Sequence, residues 1–141
     1  VDEHLSSMLH LWSTLRAAHH LYWTLHWQAK GPSFQGDHTL FGGLYQERAE
    51  EIDKLAELIA AHYGSAQLDP LRAWAAAQAC IEELVGVGSP VAIAEKVLAA
   101  VEDCNEASLD GAYPAGTTNL VSDIGTKNLM ALYKLKQRYK I

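Results

Sequence analysis

"HWQAKGPSFQGDH", His26 to His38, is the stretch whose reading decides how this chain folds. It begins and ends on histidine, breaks at Lys30-Gly31-Pro32-Ser33, and separates two long amphipathic runs. Upstream, Leu5, Met8, Trp12, Leu15, His19, Tyr22 and His26 recur at spacings of three and four, the mark of one helix face, and Leu11, Ala18, Leu21 and Leu25 widen it. That helix runs to about Ala29. Downstream, His38, Phe41, Tyr45, Ile52, Ala56, Ile59 and Tyr63 keep the same period from near Ser33 or Phe34 until Gly64 stops it. A Gly-Pro break between two such runs predicts a helical hairpin.

Working outward, Asp69-Pro70 sets an N-cap residue before a first-turn proline and opens a shorter helix through Trp74, Cys80 and Leu84. Ser89-Pro90 repeats the device. Ile93, Val97, Val101 and Cys104 then mark a third long helix to about Asp110, and after Tyr113-Pro114-Ala115-Gly116 a fourth carries Leu120, Ile124, Ala131 and Leu135. The expected fold is all-α, a four-helix bundle with a short helix linking the second and third long helices. At 141 residues and 49% hydrophobic, residues 1–141 make a single domain with one core. The net charge of −6 supplies no global attraction to a polyanion. Cys80 and Cys104, far apart and in no metal-binding spacing, read as small buried side chains in a reducing compartment. No apolar run approaches the ~18 residues of a membrane span, so a cytoplasmic location is expected.

The hairpin gives the chemistry its place. His26 lies just before the end of the first helix and His38 just after the start of the second, so the two come to about the same height. Further along the second helix, Asp53 and Glu57 are four apart and stack on one face beside Ile52 and Ala56. Two imidazoles and two carboxylates suit iron, zinc or another first-row metal. His38 and Asp53, however, are fifteen residues apart on one helix, roughly 22 Å at about 1.5 Å per residue. One chain cannot bring both pairs to one ion. Two hairpins packed antiparallel about a twofold axis can, and would form the site twice.

Spacing alone favours plainer assignments. A histidine on an apolar stripe is usually a core residue with a satisfied ring, for His4, His10, His19, His20 and His62 above all. Asp53 and Glu57 fit equally into a solvated acidic face with Glu47, Glu50 and Glu51. Trp12, Trp23 and Trp27 read as core or interface packing.

The run from Leu25 to Glu57, "LHWQAKGPSFQGDHTLFGGLYQERAEEIDKLAE", changes that balance, because it resembles the Dps family, the miniferritins of the ferritin-like superfamily. The shared pattern is His-Trp, a Gly-x-x-Phe turn, a second histidine twelve residues after the first, then Asp and Glu four apart. The resemblance implies a ferroxidase, an oxidoreductase acting on metal ions: a cage of twelve subunits that oxidises ferrous iron and stores ferric mineral (Fe2+ to Fe3+), protecting against oxidative damage. It makes His26 and His38 of one subunit, with Asp53 and Glu57 of its twofold partner, both the metal ligands and the catalytic residues. It gives Trp27 a place packed over the site. Many members also bind DNA.

Two departures stand out. The family usually has an aspartate four residues after the second histidine, where this chain has Gly42, so the position of a second iron loses a carboxylate and the activity is weakened. Restoring an aspartate there is expected to supply a ligand, unless a group from the partner subunit fills the space. Gly42 and Gly43 in a helix interior each cost up to about 1 kcal/mol relative to alanine, which a close approach by another group would offset. Near the start of the last helix, where family members tend to carry the acids of an iron-entry pore, stand Asn119, Asp123 and Lys127, only one of them acidic. Lys134, Lys136, Arg138 and Lys140 form a basic cluster at the C-terminal end; DNA is one partner for it, and solvated residues complementing the helix dipole are the plainer reading. Two alternatives to the ferroxidase stay open: a cage whose oxidation centre has decayed, with a structural or DNA-binding role, and a structural zinc or other divalent-metal site at the dimer interface.

Overall fold

The computed structural model describes residues 2–139. Five α-helices, α1 (Glu3–Gln28), α2 (Phe34–Tyr63), α3 (Pro70–Val87), α4 (Pro90–Ala107) and α5 (Thr117–Tyr139), follow one another with short 3-10 turns at Ser65–Gln67 and Ser108–Asp110. Among the described residues there is no strand. The ends lie where the chain's chemistry puts them. Asp2 caps α1 by accepting from the N–H groups of His4 (2.9 Å) and Leu5 (3.2 Å). Gly64 ends α2 at φ +95°, its N–H bonded to the Ala60 carbonyl at 2.9 Å. Asp69 caps α3 above Pro70, and Gly88, left-handed at φ +74°, closes it. Ser89 departs from the expected repeat: its side chain makes no cap bond, and only the fixed φ of Pro90 opens α4.

α1 borders α2, α3 and α4, while α5 packs chiefly on α4 and also meets α2. Being covered on three sides, α1 buries five successive residues, Leu11 to Leu15, where one stripe was expected. The cover on the third side is α3, which presents Ala73, Ala77, Cys80 and Leu84. At 18 residues it is as long as α4, so the linking helix is not short. Both cysteines are buried thiols, and burial pushes both above the usual thiol range.

The stripe on α2 also differs. The buried positions are Phe41, Gly42, Leu44, Arg48, Glu51, Leu55 and Ile59, so the inner seam passes through two charged residues. Tyr45, Ile52 and Ala56, expected on that seam, are half-buried along its edge. Leu55 and Ile59 are fully buried in the common core with Leu11, Leu15, Val97 and Leu135, and truncating such a leucine to alanine costs about 2–5 kcal/mol.

Candidate functional site

The hairpin turn sets the first half of the site. Gly31, at φ +80°, reverses the chain and its carbonyl accepts from the Phe34 N–H at 3.0 Å. His26 and His38 then face each other with ring centroids 3.7 Å apart and planes 19° apart. His26 donates from Nδ1 to the His38 carbonyl (2.6 Å), and His38 donates from Nδ1 to the His26 carbonyl (2.9 Å). A carbonyl only accepts, so each Nδ1 carries the hydrogen and each neutral ring keeps its lone pair on Nε2. Among the described residues neither Nε2 has a hydrogen-bond partner. A ring held by a backbone carbonyl on one nitrogen and open on the other is the arrangement in which histidine ligates metals. The rings are half-buried at the edge of the bundle, not turned into its core.

Aromatic side chains flank the pair. Phe34 stacks on His38 at 4.9 Å, Tyr45 lies 5.4 Å from His26 and stacks on Trp23, and Trp23 meets Trp27 at 4.7 Å. Trp12 is in the core as expected, but Trp23 and Trp27 are 37% and 60% exposed. Gly42 lies under His26. A Cβ at position 42 would stand 3.2 Å from both Cε1 and Nδ1 of that ring, whereas one at Gly43 would meet nothing within 4 Å. The close approach at Gly42 is therefore made by the chain's own histidine, and an aspartate there would press on a ligand ring as it added a carboxylate.

Asp53 and Glu57, the carboxylates expected as ligands, are exposed and one turn apart on α2. The Asp53 carboxylate, as a hydrogen-bond acceptor and as a neighbouring negative charge, raises the Glu57 carboxyl above its usual range. Beside Asp53 runs a groove between α1, α2 and α3, walled by Arg16, His19, Ile52, Ala56 and Trp74. Burial, and secondarily His20, holds the His19 ring below its ordinary pKa.

Each pair is thus assembled, and the two pairs stay far apart along α2. Among the described residues no three His, Cys, Asp or Glu side chains converge. Of the other histidines, His4 and His62 donate from Nε2 to the carbonyls of Gly111 and Ala115 in the segment before α5, and His10 and His20 are exposed. Asn119 and Asp123 are exposed and Lys127 half-buried. In the basic cluster Lys134 and Lys136 are exposed, Arg138 is engaged by Asp37 through two hydrogen bonds (2.7 and 3.1 Å), and Lys140 lies outside the described residues.

A second polar cluster was hidden from the sequence reading. Arg48 is fully buried and Glu51 is 2% exposed, so Glu51 is no part of a solvated acidic face. The Arg48 guanidinium is bonded to the Glu51 carboxylate, which Asn128 of α5 also approaches (3.1 and 3.3 Å), and fully buried Tyr22 of α1 feels both charges. Burial raises the Glu51 carboxyl and Arg48 pulls it back. Tyr22 Oη, Arg48 Nη1 and Asn128 Oδ1 have no hydrogen-bond partner among the described residues. Ferritin-like di-iron proteins build their centre inside such a bundle from two Glu and two Glu-x-x-His pairs. Here a guanidinium lies in the interior beside one carboxylate, and among the described residues no histidine is buried with them. The signal available in the sequence was the three-four spacing Phe41, Leu44, Arg48, Glu51, Leu55, Ile59.

Compared with known families, residues 8–131 match the ferritin-like domain. No curated protein and no solved structure matches the chain.

Proposed function

The chain belongs to the ferritin-like domain family, and from that premise we propose that it is a Dps-type miniferritin that binds and oxidises ferrous iron between twofold-related subunits of a dodecameric cage. The observation that carries this reading is the His26/His38 pair, with both Nδ1 atoms spent on backbone carbonyls and both Nε2 atoms open. A ferrous ion takes these two nitrogens from one subunit and carboxylate oxygens from the partner subunit's Asp53 and Glu57. Exposed Trp23, Trp27 and Phe34 beside the histidines give the partner an apolar surface to cover, and Trp27, next to His26, packs over the iron. The carboxylates lower the energy of the ferric product. With hydrogen peroxide as oxidant, two ferrous ions give up one electron each, the O–O bond breaks, and two hydroxides form that the hydrolysing ferric ions take up.

A structural zinc site is the second reading, and Gly42 favours it. Without a third carboxylate the set is two nitrogens and two acids, which suits one four-coordinate ion. For the C-terminal basic cluster, the engagement of Arg138 with Asp37 leaves fewer free charges for DNA.

Ferrous oxidation followed optically, with light scattering on the same samples, tests the proposal. The double variant His26→Ala/His38→Ala is expected to lose rapid oxidation and keep the wild-type particle mass, while His19→Ala changes the rate far less. Parental oxidation by the double variant would place the activity elsewhere, and a wild-type monomer in dilute neutral buffer would remove the intersubunit site. Tightly held zinc without iron oxidation would select the structural reading.

A further inference from the structure

Gly42 stands where a side chain is expected by helix propensity and, by resemblance, where a ligand is expected. Its backbone is ordinary helix, so no positive φ calls for glycine. What calls for it is space. The His26 ring lies so near α2 that a Cβ at 42 would sit 3.2 Å from two ring atoms, tighter than side chains normally pack. The ring has little freedom to yield: its Nδ1 is tied at 2.6 Å to the His38 carbonyl and its face is stacked at 3.7 Å on the His38 ring. Gly43, next in sequence, has open space where a Cβ would stand, so the helix as a whole does not demand glycine here.

Resting on the metal-site reading above, we infer that Gly42 is a positioning residue: its missing side chain is the seat that lets His26 and His38 exchange N–H···O bonds and hold both Nε2 atoms ready for one divalent cation. The site has given up a carboxylate at 42 for a pair of imidazoles fixed before metal arrives. A side chain at 42 requires the His26 ring to give by a few tenths of an ångström, which its stack on His38 and its 2.6 Å bond to the His38 carbonyl resist, so the pair loses its fixed geometry.

Gly42→Ala adds volume without adding a ligand, and Gly43→Ala is the same chemical change in open space. Solid-state 15N NMR of the metal-free proteins reads which imidazole nitrogens carry hydrogen, and calorimetric titration with zinc ion alone reads affinity. Wild type and Gly43→Ala are expected to share the Nδ1–H pattern and the same zinc affinity. Gly42→Ala is expected to show mixed tautomers at His26 and to bind zinc roughly 10–100-fold more weakly, as losses of groups that orient a ligand do, with helix content by circular dichroism unchanged. An unaltered 15N pattern in Gly42→Ala, or an equal loss of affinity in Gly43→Ala, would overturn the inference. If the wild type takes up neither zinc nor ferrous ion, the metal-site reading falls, and the 15N comparison in metal-free protein still decides the role of Gly42.

Discussion

His26 and His38 at the hairpin tip and Arg48 and Glu51 at the bundle centre are polar pairs held by the same helix, α2, and they complete their bonding in opposite ways. At the tip, each ring takes one bond from the backbone and keeps one nitrogen open toward the edge of the fold. At the centre, a cation and an anion of the chain consume each other, and the polar atoms left over are buried with them. The tip therefore suits the proposed ion from solution, while the centre already contains its positive charge. The difference teaches where to look for function in this bundle: an open nitrogen at a half-buried edge offers more than a larger cluster that is closed on itself.

Breaking the centre should have the largest effect. Arg48→Met leaves the Glu51 carboxylate buried without its partner and is expected to cost about 3–5 kcal/mol in urea denaturation, most of it recovered in Arg48→Met/Glu51→Leu. Because burial raises the Glu51 carboxyl above its unfolded value, its contribution is fully present below the ordinary carboxyl pKa of about 4.3 and is lost as pH rises through the folded value. Arg48 limits that loss, so the Arg48→Met variant should weaken more steeply with rising pH than wild type. At the tip, His38→Ala removes the bond from its ring to the His26 carbonyl and the ring stack, while the carbonyl of residue 38 can still accept from His26; in this half-buried place it should cost only about 0.5–1.5 kcal/mol, while abolishing zinc uptake, and a loss as large as that of Arg48→Met would erase the contrast between the two regions. Gly43→Ala should stabilise by about 0.5–1 kcal/mol in thermal melts, since nothing opposes its side chain.

The smallest expected effect belongs to Arg138→Ala, a slight loss at neutral pH. The Arg138 guanidinium holds the Asp37 carboxyl below its usual range, so this pair stabilises above the ordinary carboxylate pKa and stops doing so as pH falls through the lowered folded value. Wild type and variant should therefore converge in acid. A difference that persists at low pH would mean that the pair acts by packing rather than charge.

Much of this was readable from residues alone, for identifiable reasons. The hairpin, the ends of α1 and α2 and the facing histidines follow from a periodic apolar pattern broken by Gly31-Pro32, where local chemistry and tertiary structure agree. The seam of α2 was misread because Arg48 and Glu51 look like solvated charges, and nothing in their own sequence neighbourhood shows that Asn128, seventy-seven residues away, joins Arg48 in holding Glu51 inside. The width of the buried face on α1 depends on α3 lying across it, and an alanine-rich segment such as Ala75-Ala76-Ala77 does not announce its partner. Gly42 was legible as an anomaly, and the group opposite it required coordinates.

The reciprocal histidine bonds also bear on the order in which the fold is built. They span twelve residues, and a loop of about that length closes in roughly 10–100 ns, whereas the Arg138–Asp37 pair spans 101 residues and Glu51–Asn128 seventy-seven. As the chain grows from its N-terminus, the α1–α2 hairpin is complete before α5 exists, and the rings can pair as soon as the turn at Gly31 closes. The histidine pair is thus a local product of the first two helices. Arg48 and Glu51 can likewise meet within α2, and the bond that Asn128 adds to Glu51 waits for the last helix to arrive.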